Sequence, residues 1–185
     1  MTDLLQDDCN LIILPIDQMS LYHQATLTEV WSPIGQTPTV RVVSQRDHIH
    51  FYGALDVRGG RQFAARADEQ TSEITANFIR ALLTLFPRQT ILLLLDRAPW
   101  HKGIAIQEVV EENDRLHIMY FPVACPDLNP QEHIWSLARD AVSHNHHYKD
   151  FEQLIDDFET FLNDNYFESN FMDKYGPPPN SIVLF

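Results

Sequence analysis

Three acidic residues stand where predicted secondary-structure elements end or begin, and their oxygen atoms could hold a divalent cation. Asp17 follows an apolar run over residues 11–16, and Asp96 follows an aliphatic run over residues 91–95. Glu132 falls in the first turn of a predicted helix. Oxygen ligands that leave coordination positions open to water and phosphate suit Mg²⁺ and metal-assisted phosphoryl transfer. The pattern therefore indicates phosphoryl-transfer chemistry.

Each acid taken alone also has an ordinary structural explanation. Asp17 can cap a turn, Asp96 is a common type of strand-terminal residue, and Glu132 suits the dipole of a helix that begins near Asn129. A site arises only if the two strands are neighbours, because their ends then meet at one edge of a sheet. The helix that follows would add Glu132 to the same cleft.

Hydrophobic periodicity predicts the elements that must position these acids. Strands are expected over residues 11–16, 25–31, 39–44, 48–56 and 62–67, with the last two forming a hairpin around Gly59-Gly60. Helices are expected from about 71 to 86, 102 to 113, 130 to 144 and 151 to 163, with strands over residues 91–95 and 117–121 between them. The order of these elements, in which strands come first and helices and strands then alternate, predicts an α/β fold with a mixed sheet flanked by helices.

The charge balance fits a nucleic-acid enzyme poorly. Lys and Arg number 13 against 26 Asp and Glu, which gives a formal net charge of −13. Proteins that hold DNA tightly usually have a basic surface, so weak non-specific DNA binding is expected. Arg97 and Lys102 lie near the predicted carboxylates and can make the surface positive there. Only two cysteines and no apolar run long enough to cross a bilayer predict a soluble, intracellular protein without membrane contact.

Two motifs resemble the catalytic domain of mariner-like insertion-sequence transposases, which are DDE superfamily endonucleases. Asp96-Arg97-Ala98-Pro99-Trp100-His101 resembles the Asp-Asn-Ala-x-x-His of that family, and residues 125–135 resemble its Ser-Pro-Asp-Leu-Asn-Pro-Ile-Glu-x-x-Trp. The 35 residues between Asp96 and Glu132 match the short spacing of the family. Upstream, Asp17 with Trp31-Ser-Pro-Ile-Gly35 resembles the first acid and its Trp-x-x-x-Gly turn, and Gly53-Ala-Leu55 resembles the strand that follows.

This resemblance implies a ribonuclease H-like DDE catalytic domain over residues 1–165 and a C-terminal tail over 166–185. Asp17, Asp96 and Glu132 become the catalytic and metal-binding triad, expected to hold Mg²⁺ or Mn²⁺, with two ions. The implied reaction is DNA strand cleavage and strand transfer in transposition, and the implied partners are transposon ends and target DNA. A homodimer and a cytoplasmic, nucleoid-associated location in a prokaryote are further expectations from the family.

The sequence departs from the family pattern at positions that include 18, 97 and 125. Gln18 stands where a Glu usually follows the first Asp, Arg97 replaces Asn, and Cys125 replaces Ser. Arg97, His101 and Lys102 are candidates to lie close to the substrate. For His101, a role in orienting a ligand or a structural role at a helix start is equally consistent with the sequence.

Several alternatives stay open at this stage. About ten residues precede the first predicted strand, so the helix-turn-helix modules of the family are expected to be missing or encoded separately in a second reading frame. A non-catalytic, truncated or domesticated remnant that acts as an interaction or DNA-associated protein is the alternative function. A glycosidase with paired carboxylates would need neither metal nor DNA and does not explain the motifs. His144-Asn-His-His147 lacks the spaced partners of a zinc site.

Overall fold

The computed structural model describes residues 10–24, 26–36, 39–41, 47–123 and 125–176. Within these ranges the chain forms five strands and five α-helices, with short 3₁₀ and π-helical turns between some of them. In chain order the elements are β1 (Leu11–Tyr22), β2 (His48–Leu55), β3 (Gln62–Ala67), α1 (Ser72–Leu85), β4 (Thr90–Leu95), α2 (Ile104–Glu111), β5 (Leu116–Tyr120), α3 (Pro130–Ala138), α4 (Phe151–Asp164) and α5 (Phe171–Tyr175).

The strands form one mixed sheet in the order β3-β2-β1-β4-β5, with β1 at its centre. β1 pairs antiparallel with β2 and parallel with β4, while β5 pairs parallel with β4. Parallel neighbours need a crossover connection, and α1 and α2 supply the crossovers into β4 and β5. The predicted α/β fold, a mixed sheet flanked by helices, is confirmed.

Alternating residues of β1 build two hydrophobic cores, one on each face of the sheet. Leu11 and Ile13 point to the face covered by α3 and α4, which we call the α3 face. Leu14 and Ile16 are fully buried on the face covered by α1 and α2, the α1 face. This follows from the two-residue period of a strand, in which successive side chains point to opposite faces. The same alternation sends Asp17 to the α3 face and Gln18 to the α1 face.

The first strand is longer than predicted. It was expected to stop at residue 16, but β1 continues to Tyr22 because Ile16 and the residues after it pair with β2. Asp17 therefore lies inside a strand and not at its end. The predicted helix over 130–144 is also divided, since α3 gives way to a π-helical turn over Arg139–Ser143.

The strand predicted over residues 25–31 is wrong for its described part, because residues 26–31 form no strand. Instead, the Thr26 carbonyl accepts from the Asn145 backbone N–H at 3.1 Å, and the Thr28 N–H donates to the Asn145 side chain at 3.1 Å. The predicted turn is present at Gly35, whose φ of 84° favours glycine. Of the strand predicted over 39–44, residues 39–41 are irregular and 42–44 lie outside the described residues.

The C-terminal part contains a helix that periodicity did not predict, the five-residue α5. Phe167 is buried in the core of the α3 face, although the sequence placed it in the tail; the domain boundary at 165 stays a prediction. The proline run and the apolar end of the tail, residues 177–185, lie outside the described residues. Across the described part of the chain, no helix has both the length and the apolar character that crossing a membrane requires.

Candidate active site

The register between β1 and β4 brings Asp17 level with Asp96. Parallel pairing of these strands ends with Pro15 opposite Leu94. Two residues further along each chain stand the two aspartates, so both lie where β4 ends. The two aspartates were expected to lie together only if their strands were neighbours in the sheet. β1 and β4 are neighbours.

Helix α3 carries the third acid and is fixed directly to the first. Its N-cap is Asn129, whose side chain accepts from the Gln131 N–H at 3.1 Å, and Pro130 occupies the first turn, where its missing N–H costs nothing. Glu132 is in this turn. One turn later, the buried Trp135 donates its indole N–H to Asp17 Oδ2 at 3.2 Å. Motion of α3 relative to β1 is therefore restrained next to the site.

Gly53 allows α3 to lie close to the sheet at this point. It pairs with Asp17 across β1 and β2. A Cβ atom at position 53 would run into the side chains of Gln131, Trp135 and Gln62. Glycine is thus required here by close approach, and its presence explains the Gly53-Ala-Leu55 part of the sequence pattern in physical terms.

One pocket of about 240 Å³ is lined by all three carboxylates. Arg97, Phe121 and Asn129 are also part of its wall. The structure thus brings Asp17, Asp96 and Glu132 to a single pocket and places Arg97 beside them. His101 and Lys102, the other two candidates, do not line it.

The carboxyl group of Asp17 is in an environment that disfavours its charge. Burial raises the pKa of Asp17 from 3.8 to about 7. Hydrogen bonds from the Gln18 backbone and the Trp135 indole lower the pKa, while repulsion from Glu132 and Asp96 raises it further. A bound cation would offset both the burial and the repulsion, because it supplies the opposite charge that this cluster of acids lacks.

The donor set is suitable for a hard cation, but its geometry is open. Carboxylate oxygens are the ligands that Mg²⁺ and Mn²⁺ prefer. Among the residues that the structure describes, however, no group of three or more His, Cys, Asp or Glu side chains is already arranged to hold a metal ion. Glu132 is exposed, so rotation of its side chain can bring its carboxylate towards the aspartates without moving α3. We regard the residues as fitting a metal that gathers them when it binds.

His101 contacts Asp96 and is completely buried. Its Nδ1 lies 2.6 Å from Asp96 Oδ1, and the same oxygen accepts from the Ala98 N–H at 2.9 Å. Burial lowers the pKa of His101, against the opposing effect of Asp96. The His101 ring is buried against Asp96, a position that is consistent with orienting a ligand and with a structural role in the 3₁₀ turn that contains it.

The two basic candidates differ in their positions. Arg97 donates from Nε to the Phe121 carbonyl at 3.2 Å, which holds its exposed guanidinium at the rim of the pocket. Lys102 is exposed at the end of the 3₁₀ turn Pro99–Lys102. Sequence reasoning did not identify Trp135 or Gln18 as site residues, although Trp135 was part of the quoted motif and Gln18 was noted as a departure.

Removing the cap of α3 should affect both stability and the site. We expect Asn129→Ala to lower the free energy of unfolding by about 1 kcal/mol, because Gln131 N–H loses its acceptor. Asp150 caps α4 in the same way, accepting from the Glu152 N–H at 3.1 Å, and Asp150→Ala is the matched control. Both variants should be destabilised in urea unfolding, but only Asn129→Ala should also weaken Mn²⁺ binding, because only α3 carries Glu132. Equal Mn²⁺ affinity in the two variants would show that the α3 cap does not position the site.

The sequence of the chain is similar to those of known proteins. A family profile described as DDE superfamily endonuclease matches residues 13–155. A 39 kDa protein of insertion element IS630 from Shigella sonnei is 24% identical over 147 residues, which cover 79% of this chain and 43% of that protein.

Solved structures of a transposase are also similar to this chain. The Mos1 transposase paired-end complex with the left transposon end superposes with a TM-score of 0.66 at 16% identity, covering 92% of this chain and 53% of that one. The Mos1 mariner paired-end complex with Mn gives 0.65 at 16% identity, covering 89% and 52%. These likenesses show the ribonuclease H-like fold of transposase catalytic domains. The chain spans about half the length of the relatives it matches.

Proposed function

Because the chain belongs to the DDE superfamily endonucleases, we propose that it catalyses metal-dependent cleavage of DNA strands and strand transfer in transposition. The observation that supports this most is the shared pocket of Asp17, Asp96 and Glu132. Three carboxylates from β1, the end of β4 and the first turn of α3 converge there although they are far apart in sequence. The elevated pKa of Asp17 is a second support, since a cation would stabilise its charged form.

In this proposal Asp17, Asp96 and Glu132 hold Mg²⁺ or Mn²⁺, with two ions in the site. The metal would supply activation of water or of a 3′-hydroxyl and stabilisation of the leaving oxygen in an in-line displacement. The protein positions the oxygen ligands. Trp135 holds Asp17 from the α3 face, and Asn129 fixes the start of the helix that bears Glu132.

Arg97 is proposed to contact a phosphate of the DNA. Its guanidinium is held at the pocket rim by the Phe121 carbonyl, and guanidinium groups pair well with phosphate oxygens. Lys102 is exposed on the following 3₁₀ turn and is proposed as a second, weaker phosphate contact. These two cations would act locally against the net charge of −13.

The partners follow from the proposed reaction. They are transposon ends and target DNA, and a second copy of the chain. A cytoplasmic, nucleoid-associated location in a prokaryote belongs to the same proposal. The Mos1 structures are paired-end complexes, and we propose the same kind of assembly for this chain.

The proposal is tested by Mn²⁺-dependent nicking of supercoiled DNA with a carboxylate variant and a matched acid. Glu132→Gln removes a pocket carboxylate while keeping the size of the side chain, and Glu111→Gln makes the same change at the exposed end of α2. We expect nicking by the wild-type chain and by Glu111→Gln, and loss of nicking in Glu132→Gln. Undiminished nicking in Glu132→Gln would remove Glu132 from the reaction.

A second candidate function is a non-catalytic interaction or DNA-associated protein that keeps the fold. Two observations favour it: the acidic net charge, and the absence, among the described side chains, of a group already arranged for a metal ion. The two functions differ in their response to metal. A catalytic domain should bind Mn²⁺ through the three acids, whereas a remnant should show neither Mn²⁺ binding nor nicking.

A further inference from the structure

A continuous line of side chains connects Trp100 to Asp96 beneath the pocket. Trp100 Nε1 lies 3.1 Å from Gln18 Oε1, and the Gln18 amide contacts His101 Nε2. On its other side, His101 Nδ1 lies 2.6 Å from Asp96 Oδ1. The Tyr120 hydroxyl also donates to the His101 carbonyl at 2.9 Å, which fixes the backbone of the histidine.

The chemistry of the two ends, together with the shorter of the two Gln18–His101 distances, favours one direction for these hydrogen bonds. An indole N–H only donates, so Gln18 Oε1 must be the acceptor from Trp100. The remaining Gln18 group, Nε2, lies 2.9 Å from His101 Nε2, closer than Gln18 Oε1 at 3.1 Å. A donated amide hydrogen requires a lone pair on His101 Nε2. At the other end, an ionised Asp96 accepts only, so His101 Nδ1 must carry the proton.

We propose that Gln18 and His101 are positioning residues that hold Asp96 Oδ1 and leave Asp96 Oδ2 as the single oxygen for a metal. In this arrangement each group donates to the next, from Trp100 through Gln18 and His101 to Asp96. Asp96 Oδ1 is further occupied by the Ala98 N–H, so the carboxylate plane is fixed. Outer partners of this kind orient metal ligands, and their loss typically weakens metal binding 10- to 100-fold. The inference rests on the proposed function for its metal, but the hydrogen-bond direction does not.

The direction of hydrogen-bond donation from Trp100 to Asp96 depends on the identity of residue 18. A glutamate at this position would have no hydrogen to donate and would instead accept from His101 Nε2. Gln18 can instead donate its amide hydrogen to His101 Nε2, so the departure at position 18 gains a specific role.

The proton position is measured by ¹⁵N NMR of the histidine rings in the metal-free protein. We expect His101 of the wild-type chain to carry its proton on Nδ1 with an unprotonated Nε2. A wild-type His101 with its proton on Nε2 would overturn the proposed direction of the hydrogen bonds from Gln18 through His101 to Asp96.

Mn²⁺ affinity, measured by calorimetry, gives the second readout. His101→Phe keeps a ring in the cavity without a donor, and we expect it to raise the Kd for Mn²⁺ about 10-fold or more. The matched control is His23→Phe, at another buried histidine that bonds to the Tyr148 carbonyl at 3.1 Å. It should lose stability but keep its Mn²⁺ affinity. If His101→Phe binds Mn²⁺ as tightly as wild type, the positioning role is wrong.

Failure of this inference can be distinguished from failure of the proposed function. If the wild-type chain binds no Mn²⁺, the proposed function and the metal part of the inference are both overturned. If it binds Mn²⁺ while His101 carries its proton on Nε2, only the positioning role of Gln18 and His101 is overturned. The NMR measurement also covers the case in which His101→Phe does not fold.

Discussion

Asp96→Asn should reduce Mn²⁺-dependent strand cleavage by about 1,000-fold or more, which corresponds to about 4 kcal/mol of transition-state stabilisation. The substitution replaces an anionic ligand by a neutral amide of the same shape. The amide oxygen can still accept from the His101 and Ala98 N–H groups that now bond to Asp96 Oδ1. The free energy of unfolding should therefore change by less than about 1 kcal/mol.

The matched control is Asp114→Asn, which makes the same change at an exposed turn between α2 and β5. Nicking rates and urea unfolding should be compared for the two variants and the wild-type chain. We expect Asp114→Asn to resemble the wild type in both measurements. Cleavage by Asp96→Asn at the wild-type rate would rule out Asp96 as a metal ligand.

Asp17→Asn should abolish the same activity but stabilise the metal-free protein at pH 8. Burial and the neighbouring acids raise the pKa of Asp17 from 3.8 to about 7, so its charge is unfavourable in the folded state. Asparagine has no charge to bury and can still accept from the Trp135 indole. At pH 8 the gain can reach about 4 kcal/mol, from 1.36 kcal/mol per unit of pKa difference.

The sign of the pH dependence follows from proton binding. Between pH 4 and 7 the folded state binds more protons at Asp17 than the unfolded state does, so stability falls as pH rises through this range. The slope should be present in urea unfolding of the metal-free wild type and reduced in Asp17→Asn. A given Mn²⁺ concentration should stabilise the wild type above pH 7 more than it stabilises Asp17→Asn. A variant less stable than wild type at pH 8 would contradict the unfavourable charge.

The positions of Asp96 and Glu132 could be predicted because local signals determine them. An aliphatic strand ends at Leu95, and Asn129 with Pro130 marks the start of α3. The sequence correctly predicts where the strand before Asp17 begins, but it does not predict where this strand ends. β1 continues past the acid through pairing with β2, and this register depends on residues 26 to 38 positions away, which periodicity alone does not include.

The contacts around the acids could not be predicted for the same reason. Trp135 and Asp17 are 118 residues apart, and Gln18 and His101 are 83 apart, so only the packed sheet brings each pair together. The strand predicted after β1 is wrong for residues 26–31. Asn145, in the loop after the π-helical turn, provides its hydrogen bonds instead.

The central claim is that Asp17, Asp96 and Glu132 form one metal site, and Mn²⁺ titration by calorimetry tests it most directly. The wild-type chain and the variants Asp17→Asn, Asp96→Asn and Glu132→Gln should be titrated at pH 8, with Asp114→Asn as the control. We predict binding by the wild type and the control, and a Kd at least about 10-fold higher in each of the three variants. A wild-type chain that binds no Mn²⁺, or three variants that bind it as tightly as the wild type, would contradict the shared site.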